Sequence, residues 1–178
     1  INMNKIFEKK IPYSENQIED YYNKNKSEFV EDYRKIEFIK LDPKNLTGEN
    51  EFTDLFFKRI DEIDDLIVEG KDLEFILKKF ELKNSIINTL NSSGFDKNSQ
   101  KIKNLPNKIV EASFKIDNEE PLVIIEYDNK YYVIELLDIK SIQSKLDNKI
   151  VQKKVVDILN NIEKRKLLSE IISKLNSN

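Results

Sequence analysis

The chain carries no histidine and no cysteine. The side chains left to do chemistry are 33 aspartates and glutamates, 30 lysines and arginines, and 7 tyrosines. Without imidazole or thiolate, paired nucleophiles of the Ser–His or Cys–His kind, imidazole metal ligands, imidazole bases and disulfides are all excluded. The densest carboxylate group is Asp61, Glu62, Asp64 and Asp65. Helical spacing spreads these four over the side opposite Ile60 and Ile63, so they read as a solvated face rather than a cation site. No cofactor and no metal is expected. Asn25, Asn45 and Asn91 each begin an Asn-X-Ser/Thr triplet, which an asparagine-rich chain produces by chance. Acidic and basic residues nearly cancel, leaving −3, and no basic face recruits phosphates, so nucleic acid is not an expected partner. No apolar run reaches the roughly 18–20 residues of a membrane span. The first residue is Ile1, which leads to the expectation of a processed or partial chain with room for a signal or anchor upstream.

The elements that would position these residues are legible from periodicity. Ser14 to about Glu28 reads as a helix, with Ser14 and Gln17 at capping-box spacing and Ile18, Tyr22 and Phe29 along one side. Arg34 to Asp42 alternates with period two. Ile36 and Phe38 share one face, Ile39 and Leu41 the other, and Pro43 ends the run. Asn50 can cap a helix to Glu69, closed by Gly70, with a stripe of Phe52, Leu55, Phe56, Ile60, Ile63 and Ile67. A shorter helix spans Asp72 to Phe80, an irregular strand falls within Leu82 to Leu90, and 91–103 reads as loop.

Two β-branched runs follow, Pro121 to Tyr127 and Lys130 to Ile142, joined by Asp128-Asn129. That is a strong hairpin signal. Gln143 to Leu175 contains no Gly or Pro and predicts one long amphipathic helix, broken near Arg165 where the apolar stripe skips. About 30 residues of helix run roughly 45 Å, so its far half needs a partner, for which the N-terminal helix is the nearest candidate.

A short helical turn ending in Ala112-Ser113-Phe114, followed by this hairpin, resembles the C-terminal half of parvulin-type peptidyl-prolyl isomerases. Ser14-Glu-Asn-Gln-Ile-Glu-Asp-Tyr-Tyr-Asn-Lys-Asn-Lys-Ser-Glu-Phe29 is similar to the helix that precedes the isomerase domain in SurA/PpiD-type chaperones of the bacterial envelope. The resemblance implies an α+β fold: a parvulin-like four-stranded antiparallel sheet with flanking helices over 33–142. An N-terminal helical stem, 1–32, and a C-terminal long helix, 143–178, would pack together as the stems of a chaperone lobe.

Carried over residue by residue, the family's two central histidines fall at Phe38 and Tyr132. The apolar residues that hold the substrate proline ring fall at Leu105 and Ile109, with Phe114 just beyond, and the family's third polar group falls near Glu81 or Leu82. The Gly-rich loop survives as Ser93-Gly94-Phe95. These five, Phe38, Leu105, Ile109, Phe114 and Tyr132, are the expected substrate-binding residues, with no catalytic residue among them. The competing reading makes all five ordinary core.

Rotation about the prolyl amide faces a barrier of about 18–20 kcal/mol set by amide resonance. Catalysis means holding the twisted amide better than either planar form, with polar groups preorganised around its carbonyl. Phe38 offers none and Tyr132 one hydroxyl. The expectation is therefore a folding factor of the periplasm or cell envelope that binds unfolded or extended polypeptide, with weak or no isomerase activity. A divergent active isomerase and a non-enzymatic docking module are the alternatives, and a dimer through the helical stems is a further possible assembly.

Overall fold

The computed structural model describes residues 12–176. Its elements are α1 (Glu15–Lys24), a 3-10 turn (Lys26–Phe29), β1 (Val30–Leu41), α2 (Pro43–Leu46), α3 (Asp54–Val68), α4 (Leu73–Lys79), β2 (Ile86–Asn91), α5 (Asn107–Ser113), β3 (Leu122–Tyr127), β4 (Lys130–Gln143) and α6 (Lys149–Asn176). The chain divides into two compact units, one formed by Ile1–Glu31 with Ile142–Asn178 and the other by Asp32–Ser141.

In the second unit the expected four-stranded antiparallel sheet is present, in the order β2-β1-β4-β3. The hairpin turn forms as the sequence demands: Asp128 and Asn129 both take φ of 53°, the left-handed pair a two-residue hairpin loop needs. The alternation of β1 divides the core in two. Ile39 and Leu41 join Val133 and Leu122 beneath α3 and α4. Ile36 and Phe38 join Tyr132, Ile134 and α5 on the opposite side.

The helix expected from Asn50 starts later, with Thr53 at the N-cap position. Phe52, just outside the helix, stacks on Phe57 at 6.3 Å and meets the edge of Phe56 at 4.9 Å. That arrangement is a hydrophobic staple, which fixes the entry angle more firmly than an upstream asparagine could. At the other end Gly70 takes φ of +78°, as a left-handed cap requires. Within the acidic run, Asp61, Asp64 and Asp65 are exposed. Glu62 is instead gripped by Lys79 at 2.8 Å and Arg59 at 2.7 Å. Those two hydrogen bonds hold its carboxyl below the usual range.

Glu135 of β4 lies on the α3–α4 side and accepts a 3.3 Å hydrogen bond from the Leu73 amide. Partial burial raises its pKa, and Asp72, Glu37 and Glu74 push it further up. A carboxyl with a raised folded pKa stabilises the fold below its unfolded pKa and loses that contribution as pH rises through the folded value. Glu135→Gln keeps the acceptor and removes the charge. It should raise the unfolding free energy measured in urea at pH 7, by less than about 1 kcal/mol because the group is half in water. At pH 4 it should gain nothing. An equal gain at both pH values would contradict this.

In the first unit, Ser14 and Gln17 form the expected capping box. Tyr22 and Phe29 pack with Val151 and Val155, flanked by Ile18, Tyr21, Leu146, Ile158 and Leu159. The Tyr22 hydroxyl donates to the Ser144 carbonyl at 2.9 Å. Four expectations are corrected here. The first helix ends at Lys24, and the chain reaches Phe29 through the 3-10 turn. The long helix starts at Lys149, because β4 continues to Gln143 and the Asn148 side chain accepts from the Ile150 amide at 2.8 Å to open the helix. There is no break at Arg165: the helix runs unbroken for 28 residues. A gap in an apolar stripe removes packing but leaves every i→i−4 backbone bond intact. The α1 stripe covers the near half of α6, not the far half. Leu167, Ile172 and Leu175 stay 41%, 55% and 67% exposed, since ten residues of α1 reach only about 15 Å. Among the described residues no helix is long and apolar enough to cross a membrane.

Candidate functional site

The five residues singled out from the sequence gather in one cluster on the α5 side of the sheet. Phe38 comes from β1 and Tyr132 from β4, which are neighbours in the sheet. Ile109 comes from α5, and Leu105 and Phe114 from the segments that lead into and out of it. Burial sorts them. Phe38 at 5%, Tyr132 at 7% and Ile109 at 0% exposure form the floor, while Leu105 and Phe114 remain half-buried and reach solvent. Glu81 and Leu82 do not join them: Leu82 packs in the core on the other face of the sheet, and Glu81 is exposed.

Register adds two residues that the sequence reading did not single out. Ile86 of β2 is the direct partner of Phe38 and is 51% exposed. Ile125 of β3 is the partner of Tyr132 and packs half-buried against the cluster. Cross-strand partners share a face, so Ile86 and Ile125 flank the two aromatic residues from the outer strands. The two-residue Asp128-Asn129 turn sets Ile125 opposite Tyr132, but no sequence rule gives the pairing of β1 with β2 that sets Ile86 opposite Phe38.

The third addition is Arg34. It has the same parity on β1 as Ile36 and Phe38, so a cation faces an apolar layer. Its guanidinium donates to the Ser113 carbonyl at 2.6 Å and also to the Ile116 carbonyl. It lies 4.8 Å over the Phe114 ring. The last carbonyls of a helix have no intrahelical partner and carry partial negative charge. Arg34 satisfies those at the end of α5 and pins the segment that carries Phe114. Ser113, fully buried, donates its hydroxyl back to the Ile109 carbonyl at 2.6 Å. Arg34→Ala should therefore cost about 1.5–3 kcal/mol and speed amide exchange in α5 and Phe114. Lysine, lacking the planar fork, should recover less than half of the loss. Unchanged exchange in α5 would show that the segment is held by apolar packing alone.

Polar chemistry at the rim is sparse. Lys130, two residues before Tyr132, is hydrogen-bonded to Asp128 at 3.1 Å. That bond raises its pKa, with smaller contributions from Tyr132 and Tyr127. Among the described residues no group of three or more Asp, Glu, His or Cys is placed to hold a metal ion. The arrangement can press apolar side chains against an incoming chain, with the Lys130 ammonium at its margin.

No protein-family model matches the sequence, and no curated protein does. Among solved structures, one similar chain comes from work on the virulence factor PEB4 and the periplasmic protein Cj1289, described as two structurally related SurA-like chaperones in Campylobacter jejuni. The two chains are 16% identical, with a TM-score of 0.35 over 99% of this chain and 66% of that one. A second is PrsA from Bacillus subtilis, 13% identical with a TM-score of 0.34, over 97% of this chain and 59% of that one. The chain thus spans 66% and 59% of the lengths of these two structures.

Proposed function

We propose that this chain is a parvulin-like folding factor of the cell envelope that binds unfolded or extended polypeptide, with weak or no prolyl isomerase activity. The helical unit would serve as the stem of a chaperone lobe, and the sheet unit, over about 33–142, would present the client surface. The observation that carries this reading is the gathering of Phe38, Leu105, Ile109, Phe114 and Tyr132 into one apolar cluster, at the positions where the family resemblance puts its substrate residues. Client segments would lie across Leu105 and Phe114 and between Ile86 and Ile125, with the buried trio as a rigid floor. Binding of this kind reads shape and apolarity rather than sequence. The absence of any imidazole in the sequence supports the non-catalytic half of the proposal, since little is left to stabilise a twisted amide carbonyl.

Two measurements test it. The chain should suppress aggregation of a chemically denatured client at near-stoichiometric ratio, and Leu105→Ser with Phe114→Ser should abolish that protection. It should leave cis–trans exchange of a short Xaa-Pro peptide at its uncatalysed rate. Strong acceleration that disappears in Tyr132→Phe would replace this reading with that of a divergent isomerase. The exposed far half of α6, with Leu167, Ile172 and Leu175, favours a docking module as the second reading. Failure to protect any client, together with a tight stoichiometric partner, would establish it.

A further inference from the structure

The sheet has two edge strands, β2 and β3, and the sequence guards only one of them. An edge presents backbone donors and acceptors that another strand can pair with, and charges or proline along it keep unwanted partners off. β3 is entered through Glu119-Glu120-Pro121, carries Glu126 within it and turns at Asp128. β2 has nothing of the kind. From Asn84 to Phe95 the chain runs for twelve residues without a charge, in a sequence of which 35% is charged. No other uncharged stretch of the chain is as long.

The start of β2 is open on both faces as well. Ile86 and Ile87 point to opposite sides of the sheet, yet they are 51% and 55% exposed. Among the described residues no strand pairs with the outer side of β2. Its far end is closed by the following loop, where the Phe95 carbonyl accepts from the Asn91 amide at 2.9 Å. The open edge is therefore Ile86 to Leu90, and that segment is complementary to itself. Laid antiparallel on a second copy about a two-fold axis at Asn88, Ile86 falls opposite Leu90, Ile87 opposite Thr89, and Asn88 opposite Asn88. Each pair keeps its face, because its two positions differ by an even number. On the side of Phe38, Ile86 gains an aliphatic neighbour. On the other side, Ile87 and Thr89 form a β-branched pair of the kind that stabilises adjacent strands. The Asn88 amides, each both donor and acceptor, meet on the axis, and no like charges face each other.

We propose that β2 is a self-association edge: two copies of this chain pair Ile86–Leu90 antiparallel about Asn88, joining two four-stranded sheets into one. An unrelated extended segment would find the same backbone groups there, but only a second copy brings these side-chain matches in every case. The seam belongs to the sheet unit, not to the helical stems, and it stands independently of the client-binding reading. So short a seam buries less than the roughly 1,200–2,000 Å² of a stable interface. The dimer is accordingly weak and reversible, with a dissociation constant on the order of 100 µM.

A chain without cysteine lets the register be tested directly. Opposed residues of an antiparallel pair stand about 4.5–5.5 Å apart at Cα, within the span of a disulfide. Asn88→Cys should therefore give a covalent dimer on mild oxidation, while Glu126→Cys, exposed on the guarded edge, should stay monomeric. Sedimentation equilibrium of the unaltered chain should show reversible dimers as concentration rises through about 100 µM. Ile87→Lys with Thr89→Lys sets lysine opposite lysine across the seam and should weaken association at least about tenfold. Ile87→Lys with Thr89→Glu sets opposite charges across the seam and, within each copy, beside Glu37 and Lys35. It should restore association. A chain that stays monomeric throughout, an Asn88→Cys variant that cross-links no faster than Glu126→Cys, or a dimer indifferent to both double variants would overturn the proposal. Cross-linking of Asn88→Cys to an extended cysteine-bearing peptide but not to itself would overturn it in favour of a client edge.

Discussion

Phe56→Ala should lower the stability of the sheet unit by about 3–5 kcal/mol, the range for emptying a buried phenylalanine site. Phe56 has no exposed surface. Its ring meets Phe52 at 4.9 Å, Phe57 at 5.5 Å and Tyr131 at 5.6 Å. The partners that could relax into the void are anchored on a helix start and a central strand, so the cavity stays open and its cost adds to the lost transfer energy. Phe57→Ala, at a position that already faces water, should cost under about 1.5 kcal/mol, because little burial and only part of a ring pair is lost. Urea unfolding followed by far-UV circular dichroism measures both. If Phe57 proved the costlier of the two, the exposed pair would be the structural one.

Ile109→Ala should be nearly as damaging, at about 2–5 kcal/mol, and it divides floor from rim in the client site. Ile109 has no exposed surface and packs with Phe38 and Tyr132, so truncation undercuts α5 and the sheet face together. Leu105→Ala should cost only about 1 kcal/mol, because half of that side chain already contacts water. The functional readouts should run the other way. At a temperature where both variants are folded, Leu105→Ala should lose client protection while Ile109→Ala keeps most of it. A Leu105 variant with full protection would move the client surface away from α5.

The sequence by itself determined most of the local architecture. The Ser14–Gln17 capping box, the Asp128-Asn129 turn and the Gly70 cap all rest on the chemistry of a few adjacent residues, and each forms as written. The alternation of β1 correctly assigned Ile36 and Phe38 to one side and Ile39 and Leu41 to the other, because a pleat turns every second side chain the same way. The missing histidines and cysteines bounded the chemistry before any fold was known.

Tertiary structure decided what depends on who sits across the gap. Strand register made Ile86 the neighbour of Phe38, and no local rule fixes register between strands separated by whole helices, whereas the two-residue turn already set Ile125 opposite Tyr132. Arg34 stood in the sequence only as the first residue of an alternating run, and its hold on the Ser113 and Ile116 carbonyls exists only in the fold. The long helix kept its hydrogen bonds through Arg165 because backbone bonds ignore a gap in the stripe. Its start moved to Lys149 because β4 held the chain in extended form to Gln143. The aromatic group around Phe56 was invisible for the same reason. Phe52 belongs to a stripe that periodicity assigns to the core and Phe57 does not, and only the fold brings their two rings together over Phe56.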